Sequence, residues 1–183
     1  AGNHAGSHGI AAMLKEMGVQ FSDEQLNVIV NQVKALGDKG EQVTDADLYA
    51  IASSVTGSAP KKFVSVGGLV SVTGVNVLPT TSIRLSFSGK TLESSSTGIG
   101  PVDASLKAIQ RALEGTMTLY LREYSIQAVT GGSDSLAQVS VKVEDESGHI
   151  ASSTFTGPDI VMASVEAMID GINKLMLKRG NNL

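Results

Sequence analysis

The sequence predicts an α+β fold: an N-terminal helical subdomain over residues 1–56, then a domain over 57–183 built of two tandem βββα units, 61–115 and 117–178. Three observations predict it. Apolar residues recur at helical spacing before Thr56 and at alternate positions after Lys61. A Ser/Thr-rich run, a Gly-Pro corner and an apolar helical pattern occur twice, as TGIGPVDAS (Thr97 to Ser105) and TGPDIVMAS (Thr156 to Ser164). The same order of strand and turn signals precedes each corner. A three-stranded sheet with one helix buries its own face poorly, whereas two such units packed together bury both.

Each element has a local reason. Ser7 to Met17 reads as a short helix ended by Gly18, which tolerates the left-handed C-terminal turn. Ser22-Asp23-Glu24-Gln25 fits a capping box, with Leu26, Ile29, Val30, Val33 and Leu36 following at helical spacing. Thr44 to Asp47 reads as the next N-cap, before a helix carrying Leu48, Ile51 and Val55. Thr56-Gly57-Ser58-Ala59-Pro60 has linker composition.

From Lys61 the period is two. Val64, Val66, Val70 and Val72 share a parity, and Ile83, Leu85 and Phe87 alternate with Ser82, Arg84 and Ser86. Ser88-Gly89-Lys90 is a turn signal, and Thr91 to Thr97 a polar third strand. Pro101 suits a first helical turn, where its missing N–H costs nothing, and Leu106, Ile109 and Leu113 give that helix its apolar stripe. The second unit repeats this order: a strand over Leu119 to Val129, a turn at Gly131-Gly132-Ser133-Asp134, and a strand with Val139, Val141 and Val143. A turn at Ser147-Gly148, a polar strand from Ile150 to Phe155 and a helix with Val161, Val165, Met168, Ile169, Ile172 and Leu175 complete it.

Composition narrows the function classes. The net charge of −4 lacks the basic footprint that nucleic acid requires, and with 4% aromatic residues stacking platforms are not expected. There is no cysteine, so disulfides, thiolate zinc sites and Cys nucleophiles are excluded. No apolar run approaches the ~20 residues of a membrane span and no signal peptide is visible, so the expectation is a soluble cytoplasmic protein with no membrane partner. The chain opens at Ala1, without Met, inside what reads as a structured motif, so a fragment of a longer protein is expected. His4 and His8 can share a helical face, but two ligands do not make a metal site. His149, beside Gly148, reads as a solvated turn residue.

The repeated corner is the candidate site. Each corner runs from a strand end through glycine into a helix N-terminus, where unpaired N–H groups and the helix dipole can take a carboxylate. Gly98 and Gly100 lack a Cβ, which lets a ligand approach the backbone; Gly98-Ile99-Gly100 is not a nucleotide fingerprint, because Asp103 stands where the third glycine would. Asp103 and Asp159 are read into first helical turns, where they favour the dipole or meet an ammonium group. Tyr124 is read as closing a small pocket with its hydroxyl hydrated.

Five strings then resemble one family. GNHAGSHGI (Gly2 to Ile10), GDKGEQVTDADLYAIA (Gly37 to Ala52), GIGPVDASLKAI (Gly98 to Ile109), YSIQAVTGGSDSLAQVSV (Tyr124 to Val141) and DIVMAS (Asp159 to Ser164) are similar, in collinear order, to the C-terminal portion of the 2-isopropylmalate synthase family, which includes the citramalate synthases. One departure is Asn3, where the family usually has Lys. The resemblance implies a helical subdomain plus an allosteric regulatory domain that forms a homodimer and binds an end-product branched-chain amino acid, leucine or, for citramalate synthases, isoleucine. It implies that the parent is an acetyl-CoA-dependent acyltransferase. The divalent metal and acetyl-CoA belong to its catalytic barrel, so no cofactor, metal or catalytic residue is expected in this chain. Carried over residue by residue, it implies an effector pocket of Gly98, Ile99, Gly100, Val102 and Asp103, with Leu121, Tyr124 and Ala128, then Ser135 and Ala137, and Ile160. It also implies that the helical segment relays the effector's bias toward the barrel. Two other readings stand beside this one: a dimerisation module without ligand, in which the corners are only turns, and a free-standing enzyme, against which the absence of a nucleophile–base constellation counts.

Overall fold

A computed structural model describes residues 6–57, 62–129 and 135–179. The expected turn at Gly131 to Asp134, the linker residues Ser58 to Pro60, and Asn3 and His4 lie outside the described residues. The described residues fall into two compact units, 6–57 and 62–179.

The first unit is three helices: α1 (Ser7–Glu16), α2 (Asp23–Asp38) and α3 (Asp45–Thr56). Both expected caps form. Gln25 N–H donates to Ser22 Oγ at 3.2 Å while Gln25 Oε1 accepts from Ser22 N–H at 2.9 Å. Thr44 and Asp47 repeat the arrangement at 3.1 and 2.9 Å, and the hydrogen bonds from Thr44 hold the Asp47 carboxyl below its usual range. The unit closes on Ile10, Leu14, Ile29, Val30, Leu48 and Ala52.

The second unit is two βββα repeats. The first is β1 (Val64–Gly74), β2 (Val77–Phe87), β3 (Lys90–Thr97) and α4 (Pro101–Ala112). The second is β4 (Leu119–Val129), β5 (Leu136–Asp145), β6 (Ile150–Gly157) and α5 (Ile160–Lys178). Each sheet is an antiparallel meander, ordered β1-β2-β3 and β4-β5-β6. The helices cover one face of each sheet and touch each other, so a single buried cluster draws Ile83, Leu85, Ile109, Leu113, Val143, Met168 and Ile172 from both repeats. α5 comes so close to β5 that a Cβ on Gly171 would sit 3.0 Å from the Val143 side chain.

The repeats are tied reciprocally. Asn173 on α5 accepts from Phe63 and Val64 N–H at 2.8 and 2.9 Å and donates to Val64 C=O at 2.9 Å. Gln110 on α4 donates to Leu119 C=O at 3.1 Å. Each helix thus holds the opening strand of the other repeat.

Both opening strands carry a bulge. Val66 pairs with Leu85 and Gly68 with Arg84, which leaves Gly67 without a partner; Leu121 pairs with Val143 and Glu123 with Lys142, which leaves Arg122 without one. One extra residue reverses the side-chain parity beyond it. Val70 and Val72, expected on the same face as Val64 and Val66, therefore point outward, 65% and 49% exposed, and Leu69 takes the inner place. In β4 the same slip puts Tyr124 inside.

The C-terminal end of α5 is pinned to the β5–β6 turn. Arg179 reaches Asp145 at 3.3 Å and Glu146 at 2.9 Å, and Glu146 also accepts from Thr118 N–H at 3.0 Å. His149 is not a free turn residue: its Nδ1 lies 2.9 Å from Asp145 Oδ2, and its ring is half-buried. Burial raises the Asp145 carboxyl, but hydrogen bonds from His149 and Ser147 outweigh it and hold the group below its usual range. The Arg179 hydrogen bond holds Glu146 at about 2, against a usual 4.5.

A carboxyl whose folded pKa is depressed contributes stability above its unfolded pKa and loses it as pH falls through the folded value. The Glu146 contribution is thus complete above pH 4.5 and is lost on the way down to about 2. Urea unfolding across that window should show wild type losing stability faster than Glu146→Gln, which starts weaker at pH 7. Parallel profiles would contradict the latch.

Candidate functional site

The first corner lies between β3 and α4. Gly98 N–H donates to Pro79 C=O at 3.0 Å, which ties the strand end to β2. Gly98 is needed for close packing against its own helix: a Cβ there would stand 2.5 Å from Ala104 N and 2.6 Å from Asp103 Oδ2. That close approach to its own helix accounts for the missing Cβ. Gly100 is different. Its backbone is extended, and a Cβ there would meet nothing within 4 Å, so the helix entrance is open on that side.

Two N–H groups that the corner was expected to offer are already engaged. Gly98 serves Pro79, and Ile99 N–H donates to Asp103 Oδ2 at 2.9 Å, while the Ile99 side chain is 95% exposed. Asp103 also pairs with Lys107 at 3.0 Å, so its ammonium partner is one turn along its own helix. The Ile99 N–H bond, ahead of Lys107, keeps the Asp103 carboxyl below its usual range and ionised at neutral pH. Pro101 has no N–H, and no side chain caps α4, so Val102 and Asp103 present the uncapped amides.

The second corner is closed by its own side chain. Asp159 is the N-cap of α5 and not a first-turn residue: Oδ1 accepts from Val161 N–H at 2.8 Å and Met162 N–H at 3.1 Å. The two corners, alike in sequence, therefore differ in chemistry: the Asp159 carboxylate caps the first amides of α5, whereas Asp103 turns to Ile99 and no side chain caps α4.

The remaining predicted residues lie on the second repeat. Leu121 and Tyr124 face α5 and pack against Val139, Val141, Ala163 and Ala167. Ala128 and Ala137 stand opposite each other in the β4–β5 ladder, Ser135 is exposed just before β5, and Ile160 is the first, exposed residue of α5. Val102 from the first group and Leu121 and Tyr124 from the second each pack against the large core cluster that draws on both repeats. The Tyr124 hydroxyl is not left to water: it lies 2.6 Å from Ser164 Oγ on α5.

Sequence reasoning missed Ile126 and Phe155. Beyond the bulge Ile126 shares the parity of Tyr124 and Ala128, and Phe155 stands beside Gly157 and opposite Val139; both stay about two-fifths exposed, at 41% and 40%. Counting the β4 bulge places Ile126 by alternation, whereas Phe155 sits on β6, which carries no bulge, and shares the parity of Ala151 and Ser153. A depression of about 510 Å³ lies on the first sheet around Gly68, Val70, Ser82, Arg84 and Glu93. Four of its polar side chains are paired with one another, Ser82 with Ser95 at 2.7 Å and Arg84 with Glu93 at 2.6 Å.

Comparison with known proteins adds a family. Residues 42–176 match the family described as the LeuA allosteric (dimerisation) domain. A 2-isopropylmalate synthase of Methanocaldococcus jannaschii is 45% identical over 184 residues, which cover 97% of this chain and 35% of the relative. A Methanopyrus kandleri protein named "Putative (R)-citramalate synthase CimA" is 45% identical over 180 residues, with the same two shares. The chain spans about a third of the length of these curated relatives.

The two glycines of the first corner separate structure from access. Gly98→Ala forces backbone against backbone and should cost ~1–3 kcal/mol of stability, lowering the thermal midpoint, whereas Gly100→Ala should melt within a degree or two of wild type. Equal melting of the two variants would contradict this division.

Proposed function

The chain belongs to the LeuA allosteric (dimerisation) domain family, and from that premise we propose that it is the regulatory part of a 2-isopropylmalate synthase, binding leucine for feedback inhibition of the parent enzyme and joining two copies in a homodimer. One observation carries the placement of the effector: the uncapped amides of Val102 and Asp103 at the α4 corner, where the equivalent corner of the second repeat is filled by Asp159. In this reading the effector carboxylate takes the place at α4 that the Asp159 carboxylate takes at α5. The ammonium faces Asp103, whose Oδ2 already serves Ile99 and Lys107. The isobutyl group lies against Leu121, Tyr124, Ala128, Ala137 and Ile160.

The magnitudes are sufficient. Burying a Leu-sized side chain contributes ~1.5–3 kcal/mol, and each charge-assisted hydrogen bond ~1.5–3 kcal/mol. A micromolar site needs roughly 8 kcal/mol. For regulation the effector must prefer one arrangement of the dimer over another, and a coupling of ~1–3 kcal/mol suffices. The condensation itself, between acetyl-CoA and 2-oxoisovalerate, we assign to the rest of the parent protein, with its divalent metal. Equal similarity to a protein named as a citramalate synthase supports a second reading, in which the effector is isoleucine. One methyl position moves selectivity by only ~1–3 kcal/mol.

Calorimetry of the chain with leucine, isoleucine and valine decides between these. Leucine should bind most tightly, and Gly100→Val should abolish the heat while sedimentation still shows a dimer. A preference for isoleucine selects the citramalate synthase reading. No heat from any of the three at millimolar concentration, with a dimer present, would leave a dimerisation module without a ligand.

A further inference from the structure

The structure points to a residue outside the predicted site that sets the position of Tyr124. Ser164 is fully buried in the first turns of α5. Its hydroxyl donates to Ile160 C=O at 2.7 Å, the i−4 bond that a helical serine makes to its own backbone. A serine has one hydroxyl proton, so the contact with Tyr124 at 2.6 Å has a fixed direction: the tyrosine donates and the serine accepts. The result is a chain of two hydrogen bonds, Tyr124 O–H to Ser164 Oγ and Ser164 O–H to Ile160 C=O. It joins strand β4 to the residue that opens α5.

We propose that Ser164 is a positioning residue for effector recognition, holding the Tyr124 ring in place and coupling it to Ile160 on α5. This rests on the reading of the site given above, in which both Tyr124 and Ile160 line the effector pocket. The first repeat shows what is specific here. Ser105, also fully buried, makes the same i−4 bond, to Pro101 C=O at 2.6 Å, but its strand partner is Thr81 at 2.9 Å, a short hydroxyl that is itself fully buried. Thr81 lies on the middle strand β2 and runs on only to another short hydroxyl, Ser71 on β1 at 3.3 Å, whereas in the second repeat the partner is a long, half-buried ring on the opening strand β4, so there the buried hydroxyl chain ends on a side chain that a ligand can touch. A phenylalanine at 124 would fill the same core space against Val141 and Ala163 without this tether, so packing alone does not require the hydroxyl.

Four proteins test the proposal: wild type, Ser164→Ala, Tyr124→Phe and the double variant, with Ser140→Ala as a control. The control breaks an exposed hydroxyl pair, with Thr154, on the same sheet. Calorimetry with leucine should show each single variant weakened roughly three- to tenfold, the double no weaker than the poorer single, and the control within twofold of wild type. Urea midpoints of the four should show the same non-additivity without ligand. Leucine binding by Ser164→Ala at wild-type strength, or additive effects of the two changes, would overturn the positioning role while leaving the site standing. A wild type that binds no branched-chain amino acid would overturn the site, and this role with it.

Discussion

Asn173 and Gln110 hold the second unit together by reaching into the repeat that is not their own. Each helix side chain satisfies backbone groups at the start of the other repeat's first strand: Asn173 at Phe63 and Val64, Gln110 at Leu119. Those strand openings carry Val64 and Leu119 into the common core, where an unpaired backbone group would cost ~1–3 kcal/mol. The exchange also explains why the unit is duplicated. One βββα repeat has neither a partner for its helix nor a cap for its first strand, and two repeats supply both to each other.

Within that frame the bulges at Gly67 and Arg122 decide what faces the helices. They fall at the same place in both repeats, three residues after each strand begins. Without the slip at Arg122, Tyr124 would lie on the outer face with the Arg122–Glu144 and Lys142–Glu123 pairs, away from Ser164. With it, the inner row runs Leu121, Tyr124, Ile126, Ala128. Duplication then makes room for divergence. Asp159 fills the anion position of one corner from within, and at the other corner Asp103 turns back to Ile99 and leaves two amides of α4 open.

Much of this was legible in the sequence. The capping boxes at Ser22 and Thr44, the order of all eleven elements and the pairing of the two repeats follow from local chemistry and period alone. Val70 and Val72 were misplaced because a bulge adds a residue without altering composition; the Gly67-Gly68 pair was the available sign. A glycine at 98 reports only that a Cβ is unwelcome; that the backbone of Ala104 stands there is not legible in the sequence. Asp159 was read one position too deep, since a carboxylate at an N-cap and one in the first turn leave the same trace in sequence. The Tyr124–Ser164 bond joins residues forty positions apart, and no local pattern announces such a partner.

The most direct measurement is amide chemical-shift mapping of the isotopically labelled chain during a leucine titration. The account predicts that the perturbed amides gather at Val102 and Asp103 on α4 and along Tyr124, Ala128 and Ala137 on the inner face of the second sheet, with Val161 and Met162 unmoved behind Asp159. Shifts confined to Gly68, Ser82, Arg84 and Glu93, or to the helices of the first unit, would contradict it.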